Sequence, residues 1–355
     1  MKSIILFIFT FLLITACQEH YIPRKSITIR IDEFKKDSTS IRAIVAIDTN
    51  TVHYADSNAS VCFTNDAGKS WIIQKIVFQD TIKPHFRSLD WNGNSFFAIS
   101  IANPALLYKI TNDENKLIYQ EHHENVFYDS LQFFEDGIHG IAVGDPTENC
   151  ASIIITKDAG ESWQKISCDK LPFFEKEEAF FAASNTNIKT MGKKVWIASG
   201  GKKARILFSD NYGENWQIFE TPIIQGNGPQ GIYSIDFFDE NTGIVVGGNY
   251  AKPSENNANI AITADGGKTW DLVANGKNAG YKSCVQYIPN TQGKELMAVG
   301  ITGISFSNDG GNSWKKISTE QYYSIQFIDK NSAWLSGAQK ISKLSIVKLH
   351  TDSFK

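Results

Sequence analysis

The sequence predicts an all-β fold, a seven-bladed β-propeller of four-stranded antiparallel blades with Asp-box hairpins, closed by an N-terminal strand. Three observations predict it. A turn motif recurs, its copies lie one blade length apart, and each copy is flanked by runs rich in β-branched and aromatic residues. The motif is Ser/Thr-x-Asp-x-Gly-x-Ser/Thr-Trp, the Asp box. It stands at Thr64-Asn-Asp66-Ala-Gly68-Lys-Ser70-Trp71, Thr156-Lys-Asp158-Ala-Gly160-Glu-Ser162-Trp163, Thr263-Ala-Asp265-Gly-Gly267-Lys-Thr269-Trp270 and Ser307-Asn-Asp309-Gly-Gly311-Asn-Ser313-Trp314. A weaker copy, Ser209-Asp-Asn211-Tyr-Gly213-Glu-Asn215-Trp216, has Asn at the acidic position, and Thr111-Asn-Asp113 has lost the glycine and the tryptophan. The acidic positions fall 47, 45, 53, 54 and 44 residues apart. That is the length of one four-stranded blade.

Residues 1–16 read as a signal segment. Lys2 supplies a positive start, and the apolar run from Ile4 to Ile14 is too short for a permanent membrane helix. It ends in Ile14-Thr15-Ala16-Cys17, which resembles the bacterial lipobox, in which cleavage precedes a cysteine that then carries lipid. Residues 17–25 form the tether, lipidated at Cys17, and 26–355 a single propeller domain. No later segment has the 18 or more apolar residues a spanning helix needs. The expectation is an exported lipoprotein, anchored to a membrane without crossing it. Gln18, with no Asp at that position, points by analogy with other lipoproteins to the outer membrane.

The alternating run Ser26-Ile-Thr-Ile-Arg-Ile-Asp-Glu-Phe34 has no sheet of its own and is expected to complete the last unit, removing exposed edges. First strands open near Ser40, His85, Tyr128, Glu178, Tyr233, Lys282 and Tyr323. The run Phe-x-Asp-x-x-x-Gly-apolar-x-Val-Gly recurs at 134–144 (one residue shorter) and 237–247, with a degenerate copy from Phe327 to Gly337. Six or eight units are the alternatives this count leaves open. The box chemistry is structural: Asp or Asn accepts loop N–H groups, glycine supplies the positive φ of a tight hairpin, and tryptophan packs between sheets.

Four cysteines follow Cys17, none at CxxC spacing, so neither a metal site nor a cofactor is expected. Cys150 and Cys168 flank the hairpin tip at 159 and face one another or nearly so. A disulfide and a pair of small apolar fillers both remain open. Cys62 and Cys284 read as buried thiols.

The first residue of each inner strand lies at the mouth of the central channel. Aligning the strands on a small second residue (Ala43, Ser88, Ser130, Ala179, Ser234, Ser283, Ser324) puts Arg42, Arg87, Asp129, Glu178, Tyr233, Lys282 and Tyr323 there. No aliphatic residue occupies the ring, and two of the five arginines of the chain fall in it. The ring reads either as a mutually neutralised lining or as a convergent polar site for an anionic or sugar-like ligand. Asp145, Lys202, Lys203, Asn249 and Tyr250 would form its rim, and the loop from Ile223 to Gly231 would border it. The Asp boxes would lie on the opposite face.

Other motifs fail on context. Gly226-x-Gly228-x-x-Gly231 contains Pro229 and leads into a strand, where a dinucleotide fingerprint requires a helix N-terminus. His122-His123 lacks a HExxH arrangement. No GxSxG elbow or Walker loop is present. The formal charge of −3, with no basic run, argues against nucleic acid.

The boxes, the Phe-x-Asp-x-x-x-Gly run and the segments Phe86-Arg87-Ser88-Leu89, Val195-Trp-Ile-Ala-Ser-Gly-Gly201 and Gly247-Gly-Asn-Tyr-Ala-Lys-Pro253 together resemble the photosystem II stability/assembly-factor-like propellers. More closely, the chain resembles their lipoprotein branch in Bacteroidetes-type bacteria. The resemblance covers the mature chain and implies a non-enzymatic binding or assembly protein. Its arginine-bearing surface would match Arg42 and Arg87. The expected partners are the membrane, through the lipid anchor, and an envelope protein or glycan at the channel mouth. A monomer is expected.

Sialidases and several glycosidases are also Asp-box propellers, so a carbohydrate-active hydrolase is the alternative. Asp129, Glu178 and Tyr233 would then be catalytic, since glycosidic cleavage needs two positioned carboxyl groups. The Arg-Ile-Pro motif typical of sialidases is absent; Tyr21-Ile22-Pro23-Arg24 is scrambled and belongs to the tether.

Overall fold

The computed structural model describes residues 21–347. The signal segment and Cys17 lie outside the described residues, as does the end of the chain from 348. The described residues form 28 strands and one short 3-10 turn, Cys168–Lys170. One complete sheet shows how the units are built. Tyr128–Phe133, Gly140–Gly144, Ser152–Thr156 and Gln164–Lys165 follow one another in the chain and pair antiparallel in that order. The inner three strands are buried on both faces because adjacent sheets cover them.

The expected seven separate blades are corrected to six hydrogen-bonded sheets, four of four strands and two of six. The reason is continuity of the backbone ladder. Thr28–Ala46 is one unbroken strand. Its residues 28–35 pair with 347–340 of Ser332–Val347, and its residues 41–46 pair with Val52–Asp56. The closing strand and the first unit therefore share one sheet, joining the two ends of the chain. In the second six-stranded sheet, the two-residue strands Glu178–Ala179 and Gly200–Gly201 add to the edge of Gln230–Phe237.

The box turns hold the outer hairpins. Thr156 Oγ1 accepts the Gly160 N–H at 3.0 Å and donates to Asp158 Oδ1 at 2.7 Å. Asp158 in turn accepts the N–H of Ser162 at 3.0 Å and its hydroxyl at 2.6 Å. The same set recurs at Thr64–Ser70, Thr263–Thr269 and Ser307–Ser313, and Asn211 retains all of it except the hydroxyl bond. Gly160 has φ +85°, and a Cβ there would come within 2.4 Å of the Phe97 ring of the preceding sheet. The boxes at Gly160, Gly213, Gly267 and Gly311 thus also act as seams between sheets.

A second seam runs around the channel. Inner strands repeat a small residue, an aliphatic, Asp or Gln, and an aromatic, as in Ser130-Leu131-Gln132-Phe133. The Asp or Gln of one inner strand accepts a backbone N–H of the next. Asp90 accepts Phe133 N–H at 2.6 Å, Gln132 accepts Thr190 N–H at 3.0 Å and Asp236 accepts Tyr287 N–H at 2.8 Å. Gln286 accepts Phe327 N–H and Gln326 accepts Ala46 N–H, both at 2.6 Å. Lys189 and Asp236, 2.7 Å apart, make the step between Ile188–Met191 and Gln230–Phe237 an ion pair. Buried N–H groups of the innermost strands are satisfied by a neighbouring sheet, which ties angular position to hydrogen bonding.

Apolar cores lie between adjacent sheets. Phe97, Ile99 and Leu107 pack on Leu131, Phe133, Ile154 and Trp163 of the following sheet. Cys150 and Cys168 are joined by a disulfide with Cα atoms 5.6 Å apart, and Cys62 and Cys284 are free and buried. Just before the closing strand, Arg24 is clamped to the otherwise buried Glu295, with Nε to Oε2 at 2.7 Å, and Tyr21 donates its hydroxyl to Oε1 of the same residue at 2.7 Å.

Candidate functional site at the channel mouth

Four of the sequence-selected residues sit at β-bulges. Pairing skips Arg42 between Ile41 and Ala43, Arg87 between Phe86 and Ser88, Asp129 between Tyr128 and Ser130, and Tyr233 between Ile232 and Ser234. A bulge leaves one residue outside the ladder and re-aims its side chain, here toward the axis. Tyr323 does the same, because its N–H bonds Ser336, the residue Ser324 already opposes. These five residues line one cavity of about 500 Å³ at the channel mouth.

Two of the seven do not reach it. Glu178 is corrected to a buried structural ion pair: its carboxylate accepts Arg205 Nε at 2.9 Å, Ser199 Oγ at 2.8 Å and the Glu175 N–H at 3.1 Å. The inner strand of that unit is Ile188–Met191, so the strand assigned to begin at Glu178 was placed ten residues early. Lys282 points away from the axis, donating to Thr302 Oγ1 at 2.7 Å and Gly303 O at 3.0 Å, and burial lowers its pKa to about 7. Ser283 is the bulged residue in that strand, since its N–H and Cys284 both address Val299. Alignment on the small residue is therefore one position out there, and Ser283 lines the cavity in place of Lys282. Of the expected rim, Asp145 and Tyr250 line the cavity and Gly228 brings in the loop, whereas Lys202, Lys203 and Asn249 do not.

The segment 180–186 was missed. It crosses the channel and closes it. Ala183 O accepts Arg42 Nη1 at 3.1 Å, Ser184 Oγ donates to Ser283 O at 2.7 Å, and Asn185 bridges Leu89 O (3.0 Å) and the Leu131 N–H (2.9 Å). Asn185 has φ +61°, a conformation Asn tolerates better than most side chains. Below this plug, a smaller cavity of about 130 Å³ is lined by the Asp and Gln residues of the inter-sheet seam. The interval from Asp158 to Asn211 is long at 53 residues, but the next is 54, so spacing alone does not mark the plug.

Above the plug the cavity combines cations, ring faces and a carboxyl pair. The Arg42 guanidinium lies 4.1 Å from the centre of the Tyr323 ring, and its Nε has no hydrogen-bond partner. Burial and the nearby Arg42 charge lower the Arg87 pKa to about 10, although Asp129 opposes that shift. Asp129 is fully buried, and only the Arg87 charge and the backbone N–H groups of Ala182 and Asp145 favour its ionised form. Burial first, then the charge of Asp145, pushes its pKa well above the carboxylate range. Burial raises Asp145 to about 6, although the Phe180 N–H, 2.8 Å away, favours its ionised form. The wall thus sets two guanidiniums beside two buried carboxyl groups, Asp129 and Asp145, whose ionised forms burial disfavours. Tyr233 stacks on Phe181 at 4.0 Å and meets Tyr281 edge-on at 4.7 Å. Its hydroxyl donates to Pro229 O at 2.9 Å, and burial raises its pKa.

Fold and cavity together define a β-propeller with a plugged channel and one open polar mouth. It is similar to the solved structure of YCF48 bound to D1 peptide, with a TM-score of 0.66 and 14% identity over 94% of this chain and 99% of that one. YCF48 from Cyanidioschyzon merolae is similar at TM-score 0.62 and 13% identity, over 90% of this chain and 99% of that one. The WD40 repeats of RRP9 give 0.63 and 11%, over 92% and 99%. At these identities the likeness establishes the propeller fold alone. No protein-family model and no curated protein matches the sequence.

Proposed function

We propose that this chain is a lipid-anchored, non-enzymatic Asp-box propeller that binds an anionic segment of an envelope protein at the mouth formed by Arg42, Arg87, Asp129, Tyr233 and Tyr323. The observation that carries this reading is the charge balance of the cavity. Arg42 and Arg87 line the cavity among ring faces, and burial disfavours the ionised form of the Asp129 and Asp145 carboxyls beside them. Guanidinium groups bind carboxylates through paired N–H donors, and rings accept side chains of any sequence. A solved propeller of the same fold holds a peptide, which makes an extended peptide the reasonable ligand form. The hydrolase reading loses support because Glu178 is committed to Arg205 and the Tyr233 hydroxyl to Pro229 O.

The test titrates detergent-solubilised full chain with short fluorescent peptides rich in Glu and with matched Gln versions. Glu peptides should bind, and Arg42→Ala and Arg87→Ala should each weaken them about tenfold. Equal binding of the Gln peptides, or unchanged affinity in both variants, would sink the proposal. Affinity should rise roughly 3- to 10-fold between pH 7.5 and 5, as protonation of Asp145 (pKa about 6) removes anionic charge from the wall. Incubating the same protein with envelope glycans supplies the counter-test. Products made by wild type and lost in Asp129→Asn would replace binding with hydrolysis.

A further inference from the structure

The tether and the turns opposite the mouth point to an orientation on the membrane. Tyr21 and Arg24 hold Glu295, Arg24 also donates to Asn331 Oδ1 (3.2 Å) and Lys330 O (3.1 Å), and Asn308 Nδ2 donates to Arg24 O at 2.9 Å. Asn308 belongs to a box turn, and Glu295 and residues 330–331 to turns between first and second strands. In an antiparallel meander both kinds of turn lie at the same end of the sheet, and the channel mouth lies at the other. The chain therefore leaves the propeller on the face away from the cavity.

That face also carries exposed apolar side chains. Ile22 is 83% exposed, and Ile47, Trp91, Ile138 and Phe238 are 36–48% exposed. The last four lie at the end of a first strand or in the turn that follows it. Backbone bonds join these turns to neighbouring boxes: Ala67 N–H to Asn50 O, Ala159 N–H to Ile138 O and Gly266 N–H to Asn241 O. Three ion pairs tie neighbouring turns on this face, Lys109 with Glu161, Lys157 with Glu214 and Lys194 with Glu240. Trp, Phe and Ile on a ring of turns suit the interfacial zone of a bilayer.

We infer that the box-turn face rests on the lipid surface, with Ile22, Ile47, Trp91, Ile138 and Phe238 in the interface and the mouth turned away from the membrane. The inference rests on the proposed lipidation of Cys17. Only three residues separate Cys17 from Tyr21, a reach of at most about 14 Å over four residue steps. So short a tether keeps the face from which it emerges against the bilayer and leaves the arginine-lined mouth open to partners.

The test uses the processed full chain in vesicles of phosphatidylethanolamine and phosphatidylglycerol. An environment-sensitive dye is placed at Ile138→Cys, Phe238→Cys or Asn227→Cys, the last beside the mouth; the native free thiols Cys62 and Cys284 are buried. Vesicle flotation, with Cys17→Ser as control, reads the anchor, and quenching by lipid-borne nitroxide reads the orientation. Flotation with about half the signal quenched at 138 and 238, and under about a tenth at 227, is expected. Flotation with quenching at 227, or at none of the three, overturns the orientation while the anchor stands. Failure of the wild type to float overturns the anchor, and the orientation with it.

Discussion

At the scale of single residues, burial decides which charged groups serve the site and which serve the fold. Glu178 has its side chain fully buried, and that of Arg205 is nearly so. Removing one partner leaves an uncompensated interior charge. Arg205→Ala is expected to cost about 3–5 kcal/mol in denaturant unfolding, against little change for a variant remote from the pair. A Glu178→Gln chain that keeps its stability would restore Glu178 as a candidate for the ligand site. Asp90 gives a pH signature. Burial raises its pKa to about 7 from an ordinary 3.8. A carboxyl raised in the folded state supports the fold fully below the unfolded value, and that support is lost as pH rises through about 7. Asn at this position still accepts the Phe133 N–H, as Gln does at 132, 286 and 326. Asp90→Asn should therefore gain on wild type by more than about 1 kcal/mol between pH 4 and 8, measured as unfolding midpoints. Parallel pH profiles for the two proteins would refute the assignment.

At the scale of the element, the box turn is an autonomous hydrogen-bond unit and was legible in full. Its polar residues bond within seven positions of the chain, so local sequence specifies them. Thr156→Val keeps the shape but leaves the buried Gly160 N–H without its acceptor. The expected loss is about 1–3 kcal/mol, seen as a lower denaturant midpoint at unchanged slope. An unchanged midpoint would mean that the tryptophan and glycine contacts alone carry the hairpin. The bulges were only partly legible. A small residue after a polar one marked five of them correctly, but Ser283 follows a lysine whose side chain faces Thr302. Only the strand register separates that strand from the others.

At the scale of the whole molecule, closure joins chain ends more than 300 residues apart: Thr28 pairs with Val347. Without residues 1–35, the strand 340–347 would present an unpaired edge. Such a chain is expected to aggregate, or to melt at least about 10 °C lower, by thermal scan and size-exclusion chromatography. A monomer with the wild-type melting point would mean that closure contributes nothing. The same continuity corrects the unit count, because one strand of 19 residues serves both the closing and the first sheet. The sequence marks the turns between units; whether the ladder runs on through a connection depends on backbone geometry that composition does not encode.

The sequence by itself determined the all-β class, the antiparallel meander, the box turns, the closing role of residues 26–34 and five of the seven channel-facing positions. Those features follow from short-range rules: a side-chain period of two, turn residues fixed by φ, and repeats at constant spacing. Only the tertiary structure decided the six-sheet division, the plug at 180–186, the withdrawal of Glu178 and Lys282, the Cys150–Cys168 bond and the raised pKa of Asp129. Each of these depends on which distant groups meet and how much water they lose. Desolvation and register emerge only when the ring is assembled.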